Sequence, residues 1–164
     1  MPHLRYLLIV VSLMLGTTLA GMAQDLDKGL DAYNAGDYEA ALTEWRPLAN
    51  QGDASAQYNL GNMYDDSLGI PQDYPEALKW YRLAADQGHA SAQNNLGVMY
   101  EYGKGVLQSN VMAHMWYNIA SANGANQAGK WRDEIAGKMT NADVSKAQAM
   151  ASECMGSGYK NCGQ

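Results

Sequence analysis

Gly52-Asp53-Ala54-Ser55-Ala56-Gln57 returns 36 residues later as Gly88-His89-Ala90-Ser91-Ala92-Gln93, and that recurrence decides the fold. Set side by side without a gap, segments 52–87 and 88–123 are identical at 16 of 36 positions. Asn59-Leu60-Gly61 returns as Asn95-Leu96-Gly97, and Met63-Tyr64 as Met99-Tyr100. Ala77, Trp80, Tyr81 and Ala84 return as Ala113, Trp116, Tyr117 and Ala120. The register also runs backwards, since Ala41-Leu42 precede Ala77-Leu78 and Ala49 precedes Ala85 by the same interval. A fixed period of this length marks stacked supersecondary units, each too small to bury its apolar face alone.

Within a unit the periodicity is helical. Ala77, Trp80, Tyr81, Ala84 and Ala85 fall at i, i+3, i+4, i+7 and i+8, the apolar stripe of one helix. Ala92, Leu96, Met99 and Tyr100 make a second stripe. Asp73 is positioned to cap the first helix, with Glu76 three residues on and Pro75 tolerated in the first turn. Gly88 suits the left-handed position that ends it. The short link between stripes forces an antiparallel turn. Gly61 and Gly97 each cost a helix interior about 1 kcal/mol relative to alanine, so close helix packing is their expected purpose. The pattern therefore predicts an all-α protein, an α-solenoid of antiparallel helix pairs with 36-residue repeats and a C-terminal capping helix.

The spacing Ala77-x-x-Trp80-Tyr81-x-x-Ala84-Ala85-x-x-Gly88-x-x-x-Ala92-x-x-x-Leu96-Gly97-x-x-Tyr100, followed by Gly103-Lys104-Gly105-Val106, resembles the Sel-one-like repeat family, a branch of the tetratricopeptide-like superfamily. The resemblance spans roughly Asp37 to Ala128. The earlier loop, Ser67-Leu68-Gly69-Ile70, lacks the first glycine. After Ala128 the pattern fails, because Arg132, Asp133 and Ala136 stand where Leu, Gly and Tyr would recur. That segment, with a helix from about Asn141 to Cys154 signalled by Thr140 and Asp143, is expected to cap the stack. The expected organisation is a signal peptide over 1–23, an N-terminal helical cap or partial repeat over 24–51, repeats over 52–87 and 88–123, and a C-terminal helical cap with a disulfide-closed tail over 124–164.

The leader is expected to set the compartment. Arg5 gives a positively charged start, Tyr6 to Leu15 is an apolar run of ten residues, and Gly21-Met22-Ala23 suits signal peptidase. An uncleaved anchor needs about 20 apolar residues to span hydrocarbon, so cleavage is favoured over a retained span. A bacterial periplasmic or secreted location follows, where disulfides persist. Cys154 and Cys162, in a Gly-containing tail, are then expected to pair, and a loop this short contributes about 2–3 kcal/mol.

Composition excludes several activities. The chain has 164 residues, 11 Lys+Arg against 17 Asp+Glu, and a net charge of −6, with no basic run for phosphate contacts. Nucleic acid is therefore not an expected partner. Two cysteines cannot form a four-ligand zinc site, and no metal or cofactor is expected. His89 occupies the cap position that Asp53 holds one repeat earlier. His114 lies beside the helical stripe without a neighbouring Cys or carboxylate. Gly97 to Lys104 imitates a phosphate loop, but Gly105 stands where Ser or Thr is required. The acidic pair Asp65-Asp66 is expected to be solvated. Ser157-x-x-Lys160 has the spacing of penicillin-recognising serine enzymes, yet it lies in a Gly-rich tail and no Lys-Thr-Gly exists in the chain.

The resemblance implies a non-catalytic, monomeric scaffold whose curved face binds another protein or peptide. The expected binding residues lie on the first helices outside the Ala-x-x-Trp-Tyr stripe: Arg46, Lys79, Arg82, Met112, Met115 and Asn118. Met112 and Met115 stand where Glu76 and Lys79 stand one repeat earlier, as on an adaptable apolar contact face. The alternative is a cell-wall-associated enzyme or ligand binder with penicillin-binding or β-lactamase-like activity, since some cysteine-rich members of the family are linked to penicillin binding. A secretory-pathway adaptor in a eukaryote is a third, less favoured reading.

Overall fold

Trp45, Tyr81 and Tyr117 occupy the same place in three helices one repeat apart, and each ring fills the gap beside a glycine. This geometry comes from a computed structural model that describes residues 26–160 and 162. The expected leader lies outside the described residues. Among those described there are eight helical segments and no strand: α1 (26–34), α2 (Tyr38–Asn50), α3 (Ala54–Asp66), α4 (Tyr74–Ala85), α5 (Ala90–Tyr102), α6 (Asn110–Ala122), α7 (Ala128–Ala136) and α8 (Asn141–Gly156). The chain folds as an α-solenoid. Each first helix packs on its own partner and on the second helix of the preceding pair, so α4 lies between α3 and α5, and α6 between α5 and α7.

The starts of these helices follow from single side chains. Asp37, Asp53 and Asp73 accept the backbone N–H three residues on, at 3.0, 2.8 and 3.0 Å. Ser109 and Thr140 do the same for α6 and α8, each at 3.2 Å. These bonds satisfy donors that a helix start otherwise leaves open. The Glu76 carboxylate, expected to complete a reciprocal box with Asp73, instead takes Lys79 Nζ at 2.9 Å. Between paired repeats, α5 ends on Gly103 in the left-handed region (φ 68°), whereas α3 ends on Ser67 in the same conformation (φ 59°). The missing glycine therefore leaves the turn geometry intact and puts a serine in backbone that disfavours a Cβ.

The packing of the repeats explains the most repeated residues. A Cβ built on Gly61 would lie 2.5 Å from Tyr81 Cδ1, and one on Gly97 would lie 2.5 Å from Tyr117 Cδ1. Gly29 of α1 approaches the Trp45 ring so closely that a Cβ would overlap it, and the indole N–H donates to the Leu26 carbonyl at 3.2 Å. The recurring Ala-Gln pair has its own purpose. Buried Gln57 and Gln93 donate to the Ala49 and Ala85 carbonyls at 3.0 and 3.1 Å, closing the end of the preceding first helix. Replacing Gly97 with alanine is expected to destabilise the fold by about 1–3 kcal/mol through overpacking against Tyr117, although alanine itself favours helix by about 1 kcal/mol. Thermal denaturation checks this, and a higher melting temperature would contradict it.

The C-terminal helix does not extend the zigzag. It packs chiefly along α6, burying Ala147, Ala151 and Cys154 at i, i+4 and i+7. Cys154 and Cys162 form a disulfide with their Cα atoms 4.8 Å apart. No helix among the described residues is long and apolar enough to cross a membrane.

Candidate interaction surface

One face of the first helices carries a strip that repeats every 36 residues. On α2, Glu39, Leu42, Thr43, Arg46, Pro47 and Asn50 line a hollow of about 510 Å³. On α4, Pro75, Leu78, Lys79 and Arg82, with Tyr100 of α5, line another of about 290 Å³. Glu39, Leu42, Thr43 and Arg46 are the counterparts of Pro75, Leu78, Lys79 and Arg82, so the two hollows stand in the same register. Each combines an aliphatic floor with a basic edge.

The third position of the series is Val111, His114, Met115 and Asn118 on α6, and it is closed at its centre, where His114 and Met115 are buried, while Val111 borders a separate hollow of about 450 Å³ beside Lys138 and Asp143. Met115 and Ile119 are fully buried, whereas Leu83, the counterpart of Ile119, is 40% exposed and Lys79, the counterpart of Met115, is exposed. The physical cause is α8, whose alanine ridge covers this part of α6. Met112 is half-buried against the same core. The Asn118 side-chain oxygen accepts from Arg132 Nη1 at 3.3 Å, which ties α6 to α7.

The six expected binding residues therefore divide. Arg46 and Lys79 lie along the open strip. Arg82 borders it but is engaged: its guanidinium donates to the Cys162 carbonyl, its Nε lies 3.6 Å from Asp86, and its Cζ lies 5.0 Å above the Trp116 ring. Met112, Met115 and Asn118 do not present an open contact face, contrary to their expected exposure. The apolar character of the two methionines reflects a surface that is covered, and the cover belongs to this chain. Leu42 and Leu78, the floor of both hollows, were missed as binding candidates; their signal was the 36-residue register applied to Arg46 and Arg82.

The groups considered for chemistry are structurally committed. The Ser157 hydroxyl donates to the Cys154 carbonyl at 2.8 Å and also lies against the Lys160 carbonyl, which folds the tail back on α8. Asp65 is not solvated as expected, because it holds Lys104 Nζ at 2.8 Å and so ties one repeat's loop to the helix end before it. No group of three metal-ligating side chains is assembled among the described residues.

Both described histidines titrate below the usual imidazole range. His89 stacks on Tyr58 with ring centroids 4.8 Å apart, and its Nδ1 accepts the Ala92 N–H at 3.3 Å. Burial holds its pKa down, against backbone hydrogen bonding and nearby Asp53. Burial also lowers His114, joined by Arg132 and opposed by Asp133. A depressed histidine costs nothing while both states are neutral, and the unfolded chain binds protons first as pH falls below about 6.5. Stability is therefore expected to be level above that pH and to decline from about pH 6.5 to 5.5, above the range where carboxylates dominate. His89→Asp, which copies Asp53, is expected to shrink the decline. Melting curves across this interval check it, and a wild type that melts higher at the acid end would contradict it.

A stack of antiparallel helix pairs with an open lateral strip defines the class of α-solenoid repeat scaffolds. The chain belongs to the Sel1 repeat family, whose repeat matches residues 54–89 and 90–124. Proteins of this family are helical-repeat scaffolds that typically mediate protein–protein interaction. The crystal structure of a protective antigen present in uropathogenic Escherichia coli strains, which displays an SLR fold, matches with a TM-score of 0.78 and 28% identity. That match covers 84% of this chain and 31% of the antigen, so the chain spans about a third of the antigen's length. The crystal structure of a Sel1 repeat protein from Oxalobacter formigenes matches with a TM-score of 0.63 and 30% identity, over 76% of this chain and 97% of that one. No curated protein sequence matches the chain.

Proposed function

We propose that the chain is an exported, monomeric, non-catalytic scaffold of the bacterial periplasm that docks a protein or peptide partner along the α2–α4 strip. In this reading, residues 24–51 and 124–164 cap two repeats over 52–87 and 88–123. The observation that carries it is the pair of open hollows in one 36-residue register, each with an aliphatic floor beside a base. Arg46 and Lys79 favour a partner segment with acidic side chains among apolar ones, on a chain whose net charge is −6. Export is supported by the leader pattern over residues 1–23 and by the paired cysteines.

Site-resolved photo-crosslinking in the source cells tests the proposal. A photoreactive residue at position 46 or 79 is expected to trap one and the same protein, and Arg46→Glu with Lys79→Glu to abolish the product. The same group at Ser91, on the second-helix side, is expected to trap none of it. Equal trapping from Ser91, or trapping indifferent to the charge reversals, would overturn the assignment of this face.

A further inference from the structure

The helices α4 and α6 each lie against the second helix of the pair before them, but α8 packs chiefly on α6, a first helix. Its buried face is a ridge of small side chains, Ala147, Ala151 and Cys154, with half-buried Met150 and Met155 beside it. Ala151 and Cys154 of that ridge meet Met115, Trp116 and Ile119 within one core cluster. Along α8 itself the side-chain hydrogen bonds are internal to its first turn or its own backbone, such as Thr140 to Asp143 at 2.8 Å and Ser145 to the Asn141 carbonyl at 2.9 Å. Among the described residues, apolar packing holds the body of the helix against α6.

The polar ties come from the tail. Gly158 and Tyr159 both turn through the left-handed region, with φ of 69° and 65°. Tyr159 is thereby brought over the end of α4, where a Cβ on Gly88 would lie 3.1 Å from its ring, and its hydroxyl donates to Asn123 Oδ1 at 2.8 Å. The Arg82 guanidinium takes the carbonyl of Cys162. The two Tyr159 contacts fall inside the loop that the disulfide closes, and the third is made by Cys162 itself. A non-glycine residue in left-handed backbone persists only where surrounding structure holds it, and here the Tyr159 N–H donates to the Cys154 carbonyl at 2.9 Å while its hydroxyl is held by Asn123.

We propose that α8 and its closed tail are an intramolecular occupant of the third position of the groove, latched by the Cys154–Cys162 bond. Reduction of that bond frees the tail, lets α8 leave α6, and lengthens the open strip from two positions to three. The reductant is a dithiol: one of its sulfurs attacks a protein sulfur, the second resolves the mixed disulfide, and two electrons and two protons pass to Cys154 and Cys162 as the dithiol becomes a disulfide. Both cysteines are buried, so attack requires the tail to lift. The bond thus opens only when the latch is already moving, or when a partner helix has displaced it. The proposal rests on the reading of this face as a groove, but its test involves no partner.

Hydrogen exchange of the whole exported chain, oxidised and after treatment with dithiothreitol, distinguishes the outcomes. Reduction is expected to speed exchange at least tenfold in peptides covering 143–156 and 110–122, while peptides from α2 to α5 keep their protection. Cys154→Ser with Cys162→Ser is expected to reproduce the reduced pattern without reductant. A labelled synthetic peptide of residues 141–160, its cysteine replaced by serine, is expected to bind the serine variant and not the oxidised chain. Unchanged protection in 110–122 on reduction would overturn the proposal. Loss of protection throughout α2 to α5 would overturn it equally, since α8 would then be a structural cap and not a releasable occupant. Failure of Arg46 and Lys79 to trap a partner would leave these exchange results standing, so the two readings fail separately.

Discussion

Alanine at Met115 is expected to destabilise the chain by about 2–5 kcal/mol, the range for emptying a buried long aliphatic site. Alanine at Lys79, the counterpart one repeat earlier, is expected to change stability by less than about 0.5 kcal/mol, as at an exposed position away from caps and networks. The two residues share a helix position and a repeat register, so the difference measures what α8 adds. Met115 is fully buried and touches the cluster that includes Ala151, Cys154 and Cys162. Among the described residues, Lys79 reaches Glu76 at 2.9 Å and the face of Trp80, 5.2 Å from the ring centroid. Chemical denaturation of both variants and the parent decides this. Similar costs at the two positions would show that α8 does not sit over α6.

Trp116→Ala is expected to cost more, about 3–5 kcal/mol. Its indole is fully buried where α4, α6 and the C-terminal tail meet, beneath the Arg82 guanidinium at 5.0 Å. Its loss opens a cavity the size of an indole and removes the aromatic face on which that cation rests. The indole N–H has no hydrogen-bond partner in this core, so Trp116→Phe sacrifices volume without stranding a donor and is expected to cost well under half as much. The measurement is again denaturant unfolding. An alanine variant within about 1 kcal/mol of the parent would contradict the placement of the tail, because exposed aromatic sites rarely cost more.

The stacked pairs were legible because everything that builds them is local and recurs. Asp73 caps α4 from the position its spacing implies, Gly88 ends the turn at φ 83°, and Gly61 and Gly97 receive the tyrosines of the next helix. Each of these contacts spans less than one repeat, so the period that reveals it in sequence also creates it in space. The burial of Met115 has no such origin. It depends on a helix some thirty residues further on that lies outside the repeat, with an alanine ridge like that of any packed helix. Read alone, Met112 and Met115 in place of Glu76 and Lys79 announce an apolar contact face, which is chemically correct; the sequence does not say whether the contact is with another molecule. The engagement of Asp65 by Lys104 was hidden for a related reason, since it crosses from one repeat's loop to the preceding helix end. Ser67 shows the converse, a missing glycine with no change of backbone, because the repeat's packing outweighs the cost of one left-handed residue.

Covalent footprinting of the native, oxidised chain by hydroxyl radicals, read residue by residue with mass spectrometry, tests most directly whether the groove is open at two positions and closed by α8 at the third. The account predicts that Pro47, Leu78 and Leu83 are modified as accessible side chains, while Met115 and Ile119 react as slowly as the core residues Met63 and Met99, despite the high intrinsic reactivity of methionine sulfur toward oxidants. Rapid oxidation of Met115 in chain whose Cys154–Cys162 bond is intact would contradict it.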